Sequence, residues 1–85
     1  MKASKKLLNK LKDLLSAERK AQLKKYASLK KVLKALRVEK SRLKENLAEV
    51  SDENERQEIE NRLRIISIQR KKGLEVLKEL KKERT

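Results

Sequence analysis

Leucines in the middle of the chain recur at heptad spacing. Between residues 29 and 50 the apolar positions are separated by steps of four, three, seven, four and three residues. These positions are Leu29, Leu33, Leu36, Leu43, Leu47 and Val50. Such spacing places the apolar side chains along one side of an α-helix, as in a coiled coil. It predicts a long helix over residues 17–50, in which only Lys40 interrupts the apolar side.

A second apolar series with the same spacing follows. Its members are Ile59, Leu63, Ile66, Leu77 and Leu80, with Arg70 and Gly73 at the intervening positions. Folding the chain about residue 53 pairs the two series so that partner numbers sum to 106, as for Leu43 with Leu63. The pairing predicts an antiparallel helical hairpin with coiled-coil packing, a turn at 51–53 and a helix over 53–83. Lys40 and Arg70 are then interpreted as residues that extend to solvent or specify register.

Local signals mark the turn and one special position. Ser51 is a suitable N-cap, and Asp52, Glu53 and Glu55 supply acidic side chains where the positive end of a helix favours them. Gly73 lies inside the last helix, where it costs about 1 kcal/mol relative to alanine. It indicates a kink or a close approach of another helix, or else a tolerated cost.

The first residues form a separate amphipathic element. Residues 3–15 carry an apolar face made of Leu7, Leu8, Leu11, Leu14 and Leu15, opposite a face rich in lysine. Ser16 is predicted to break the chain and to cap the next helix, the alternative being one helix over 2–50. We expect the helix to fold back to the level of residue 29, too short to reach Ile65. Docking on the hairpin is preferred to contact with an anionic membrane surface, because no tryptophan or phenylalanine is present to anchor it.

Length and composition favour association with a second chain. The 85 residues form one predicted domain, and a core of this size seldom supplies more than about 3 to 5 kcal/mol. Cysteine and histidine are absent, so neither a disulfide nor a zinc site can add to it. The 46% of charged residues would also suit a disordered chain, but the regular apolar spacing favours helices. The middle of the last helix is apolar on two sides, which predicts a homodimeric helical bundle with an interface at Ile65, Ile66, Ile68 and Val76.

Charge suggests what the surface binds. The chain carries 26 basic and 13 acidic residues, and its net charge is +13 in residues 1–44, −6 in 45–60 and +6 in 61–85. Basic side chains at helical spacing opposite the apolar sides form a candidate site for nucleic acid or another anion. They are Lys20, Lys24, Lys31, Lys34 and Arg42 on the long helix, and Arg64, Lys71 and Lys82 on the last helix. The alternative interpretation is a solvated exterior without a ligand.

Enzyme chemistry is poorly represented. With no histidine or cysteine and one aromatic residue, Tyr26, the chain offers few groups for catalysis or for a metal or cofactor site. We therefore expect a non-enzymatic binding module that contacts nucleic acid backbone without base specificity. The alternative is a protein interaction or assembly coiled coil, such as an adaptor, a chaperone or a secretion component, with an acidic partner possible. Residues 2–15 contain no uninterrupted apolar run like that of a secretory signal, so a cytoplasmic protein is expected.

Overall fold

The protein folds into four helices that form a short rod. The computed structural model describes the backbone of residues 2–84 and the side chains of residues 5–83. The helices are α1 (Lys2–Ser16), α2 (Arg19–Lys24), α3 (Tyr26–Glu49) and α4 (Glu53–Arg84), and residues 2–84 contain no strand. This confirms the all-α prediction. The rod measures 48 × 19 × 16 Å. None of the helices in the described range has both the length and the apolar character needed to cross a bilayer.

The long helices α3 and α4 pack along each other in opposite directions. Buried apolar residues on both helices come from the two heptad series, among them Leu29, Leu33, Leu36 and Leu43 on α3 and Ile59, Ile66 and Leu80 on α4. Arg70 Nε donates a hydrogen bond of 3.2 Å to the backbone oxygen of Leu33, across the helix pair. Arg70 thus ties the two helices together while staying half-buried.

Gly73 marks the point where three helices meet. A Cβ atom placed on Gly73 would lie 2.5 Å from Leu33 Cδ2 and 3.2 Å from Leu11 Cδ1. Leu33 belongs to α3 and Leu11 to α1, and both side chains are buried. Of the three interpretations of this glycine, close helix approach is therefore the one that the structure bears out. The contact also matches the pairing of residues 33 and 73 in the predicted hairpin.

The first helix folds back farther along the rod than the sequence predicted. Leu11 and Leu33 both pack at Gly73, and each lies the same number of residues from Gln22 in sequence. The chain therefore reverses direction around Gln22 rather than at Ser16, because α2 forms part of the connection between α1 and α3. As a result Leu8 lines the same surface groove as Ile65, and the prediction that α1 is too short to reach Ile65 was wrong.

The bend after α1 is closed by a side chain from the next helix. The amide of Gln22 is buried and donates hydrogen bonds to the backbone oxygens of Leu14 (3.0 Å) and Leu15 (3.2 Å). These are carbonyls of the last turn of α1, which have no partner within the helix. Ser16 ends α1 and its hydroxyl donates back to the oxygen of Asp13 at 3.2 Å. Its expected role as the cap of the following helix was wrong.

The predicted helix 17–50 is divided in two. The break falls at Lys25, where φ is −101° and ψ is 21°. The amide of Lys25 bonds to the oxygens of both Ala21 and Gln22, and its own oxygen accepts from the amide of Leu29. Hydrogen bonding therefore continues through the bend. Neither glycine nor proline marks the position, so the apolar spacing alone gave no sign of it.

The turn between α3 and α4 is closed from both sides. The backbone amide of Asn54 donates to Asp52 Oδ1 at 3.0 Å, so Asp52 and not Ser51 caps α4. On the other side, Arg56 Nη1 donates to the oxygens of Leu47 (3.1 Å) and Val50 (3.2 Å) at the end of α3. A cation there also meets the negative end of the helix dipole. Arg56, the only basic residue in 45–60, therefore holds the turn together.

Candidate functional site

Five of the predicted anion-binding residues lie on α2 and α3. Lys20 and Lys24 are on α2, and Lys31, Lys34 and Arg42 are on the side of α3 turned away from its buried leucines. All five side chains are exposed. The bend at Lys25 separates the two groups, so this basic stripe consists of two helical segments rather than one straight row. Both segments follow the length of the rod.

The remaining three predicted residues lie on α4. Arg64, Lys71 and Lys82 are separated by seven and eleven residues, which at 3.6 residues per turn places them on one side of the helix. All three are exposed, whereas Ile66, Gly73 and Leu80 are buried on the other side. The predicted basic side chains are thus at the surface on each of these helices.

Three arginines outside the predicted anion site are used within the fold. Arg19 Nη2 lies 2.8 Å from Glu79 Oε2, and Arg19 Nε lies 3.7 Å from Glu83 Oε1. This ion pair joins α2 to the end of α4. Arg56 and Arg70 bind backbone oxygens, as described above. Their roles depend on which helices become neighbours, and no short motif in the sequence announces them.

The candidate residues differ in how far they are engaged by the protein itself. Arg42 Nη1 is 4.0 Å from Glu39 Oε2, a carboxylate on the buried side of α3. Within the described residues, no hydrogen bond or ion pair is made by the other exposed candidates, apart from Lys82. These are Lys20, Lys24, Lys31, Lys34, Arg64 and Lys71. Six of the eight predicted cations therefore have no partner among the described residues and are available to an external anion.

The end of the rod at the turn between α3 and α4 is acidic. Residues 45–60 carry seven acidic residues and one arginine, and this segment surrounds the turn between α3 and α4. A shallow groove there is lined by Asn46, Glu49, Val50, Glu55, Glu58 and Ile59. Three carboxylates thus border two apolar side chains. We call this end the acidic tip, and the other end, formed by α2, the first turns of α3 and the last turns of α4, the basic end.

The four residues predicted to form an oligomer interface occupy two different environments. Ile66 is fully buried within one chain, and Val76 is half-buried against the same core. Ile65 and Ile68 are 50% and 52% exposed, respectively. Exposed apolar side chains are therefore present at Ile65 and Ile68, whereas Ile66 contributes to the core of its own chain.

The described residues show no preformed centre for metal chemistry. Within them, no group of three histidine, cysteine, aspartate or glutamate side chains could hold a metal ion. Every buried side-chain nitrogen or oxygen among them has a hydrogen-bond partner.

Comparison with known proteins adds no assignment. A scan against protein-family models and searches of the curated proteins and of the solved structures found no match to this chain.

Proposed function

We propose that the protein is a non-enzymatic basic helical module that binds the phosphate backbone of nucleic acid without reading base sequence. The observation that carries the proposal is the set of six predicted cations that are exposed and have no partner among the described residues, on a chain with a net charge of +13. Phosphate groups carry the charge opposite to that of this surface. Neutralising them releases condensed counterions, which drives binding.

The chemistry of the stripe favours backbone contacts over base contacts. Five of the six cations are lysines, at positions 20, 24, 31, 34 and 71, and an ammonium acts on a phosphate as a point charge. Bidentate recognition of guanine requires a positioned arginine, and stacking requires exposed aromatic rings. Arg42 faces Glu39, and the single aromatic residue, Tyr26, is half-buried. Affinity that depends on phosphates and little on sequence follows from this composition.

The separation of charge orients the nucleic acid on the rod. The acidic tip repels phosphates, whereas the stripe residues on α2 and the first half of α3 attract them. A duplex would therefore lie against the basic end and the adjacent half of α3. In this proposal the binding unit is a homodimer of coiled-coil hairpins, which would double the number of lysines presented to one nucleic acid molecule.

Copurification with and without nuclease tests this function. Tagged protein is captured from cell lysate, and the nucleic acid that elutes with it is measured by absorbance and by gel. We expect bound nucleic acid that disappears after nuclease treatment, and much less of it with the variant Lys20→Gln, Lys24→Gln, Lys31→Gln, Lys34→Gln. Glutamine is nearly as good a helix former as lysine, so the variant should keep its helicity. Equal nucleic acid recovery with both proteins would overturn the proposal.

A second candidate function is supported by the groove at the acidic tip. Carboxylates of Glu49, Glu55 and Glu58 around Val50 and Ile59 would suit a basic amphipathic segment of another protein. The hairpin would then serve as an adaptor or assembly element. In the same copurification, a protein that stays bound after nuclease and is lost on replacing these three glutamates by glutamine would favour this function.

A further inference from the structure

Among the residues that the structure describes, an apolar surface in the middle of the rod remains partly uncovered. Ile65 and Ile68 are about half exposed although they follow one another on neighbouring turns of α4. A groove between α1 and α4 continues this surface and is lined by Leu8, Glu58, Asn61, Arg62 and Ile65. Since α4 runs from Glu53 to Arg84, Ile68 lies at its midpoint. A partner rod centred on Ile68 would overlap the full length of this one.

The charge pattern decides the direction of a partner that is a second copy of this chain. A parallel copy would place the basic ends side by side, where residues 17–34, in α2 and the first turns of α3, carry seven basic residues and one acidic residue, for +6 on each chain. An antiparallel copy places each acidic tip, with −6 in residues 45–60, beside the basic end of the other chain. Arg64 and Lys71 bring like charges close to the centre, but the two pairs of complementary ends involve more charges. Complementary charge therefore favours the antiparallel arrangement.

The dimensions of the rod favour contact along its side. The long face measures 48 × 16 Å and an end of the rod 19 × 16 Å, so the side offers the larger contact surface. Stable interfaces bury on the order of 800 Å² of accessible surface per partner, which favours contact along the side. Contact between the tip of one copy and the basic end of the next, without overlap of the rods, would therefore be too small.

We propose that the surface around Ile65 and Ile68 binds a second copy of this chain, forming an antiparallel dimer whose two-fold axis crosses α4 near Ile68. The proposal deepens the proposed function by giving its homodimer a contact surface and an orientation. Its tests use the protein alone, so a failure here is separate from a failure to bind nucleic acid.

Sedimentation equilibrium of three proteins tests the surface. At tens of micromolar the natural chain should sediment at twice its 10.0 kDa mass. The variant Ile68→Lys should sediment as a monomer, because lysine helix propensity preserves α4 while its charge disrupts the contact. The matched control is Val38→Lys, at an apolar residue of α3 that is 64% exposed, and it should remain a dimer. A monomeric natural chain, or a dimer that Ile68→Lys leaves unchanged, would overturn the proposal.

A distance between spin labels tests the orientation. The chain has no cysteine, so Gln57→Cys provides one labelling position, on the exposed side of α4 near the acidic tip. In the antiparallel dimer the two labels lie eleven residues on either side of the axis, about 33 Å apart along the rod at 1.5 Å per residue. The measured distance should therefore be about 33 Å or more. A distance below about 25 Å, the result for parallel rods lying side by side, would overturn the antiparallel arrangement.

Discussion

The half of the rod near the basic end and the half near the acidic tip use the same apolar spacing but bury it to different extents. Near the basic end, Leu29, Leu33 and Leu36 are almost completely buried. Near the tip, Leu43 and Ile59 are buried, but Leu47 and Leu63 are only half-buried and pack at the edge of the core. The difference is α1, whose Leu11 packs with both long helices at Gly73, in the first region. Two packed helices bury the residues at the centre of their contact. Residues at the edges of that contact become buried only where a third helix packs on them.

Truncating matched leucines should produce the largest contrast between the two halves. Leu36→Ala should lower the free energy of unfolding by about 3 to 4 kcal/mol, because it leaves a cavity at a fully buried position. Leu47→Ala should cost only about 1 to 2 kcal/mol, because this residue already borders solvent. Urea unfolding followed by circular dichroism measures both values. Equal losses would show that α1 does not strengthen the core near the basic end.

A larger side chain at Gly73 should destabilise the contact of α1 with the two long helices. Gly73→Leu should lower the free energy of unfolding by about 2 to 3 kcal/mol, because it collides with both Leu33 and Leu11. Gln57→Leu, at an exposed position of the same helix, should change it by no more than about 0.5 kcal/mol. Hydrogen exchange should also show α1 opening more often in Gly73→Leu. Unchanged protection of α1 would contradict the three-helix contact.

The sequence was sufficient for the features that depend on regular spacing. The positions of Leu29 to Val50 and of Ile59 to Leu80 predicted the long helix pair and the contact between residues 33 and 73. Spacing of this kind is a local property, and burial on one side of a helix is enough to produce it. The exposed basic residues followed from the same helical geometry, because they lie opposite the apolar positions.

Features that depend on contacts between neighbouring helix ends were not predicted. Gln22 and Arg56 resemble ordinary surface residues in sequence, yet each closes the end of the preceding helix. The bend at Lys25 carries no glycine or proline. The sequence also did not decide between Ser51 and Asp52 as the N-cap of α4, because either residue is a good N-cap. The path of the chain determines which side chain reaches the free amide of Asn54.

The side chains that close the ends of α1 and α3 should have smaller effects on the free energy of unfolding. Arg56→Gln removes a cation from the end of α3 near the tip, and should lower the free energy of unfolding by about 1 to 2 kcal/mol. Arg64→Gln, at an exposed arginine two turns farther along, should have almost no effect. Gln22→Ala leaves the carbonyls of Leu14 and Leu15 without their buried partner and should cost about 1 to 2 kcal/mol. Thermal unfolding of the three variants measures these differences. A loss with Arg64→Gln as large as with Arg56→Gln would contradict the capping role.

Binding to duplex DNA at several salt concentrations tests the proposed function most directly, because the charges of the two ends differ in sign. For the natural chain, log affinity should fall linearly with log salt, with a slope of about 0.9 for each phosphate contacted. Replacing Lys20, Lys24, Lys31 and Lys34 by glutamine should reduce the slope by up to about 3.6 and weaken binding to every sequence alike. Replacing Glu45, Glu49, Glu53 and Glu60 at the tip by glutamine should leave the affinity for DNA unchanged or raise it. Equal weakening by both sets, or binding that survives salt of about 0.5 M, would contradict a backbone-binding stripe.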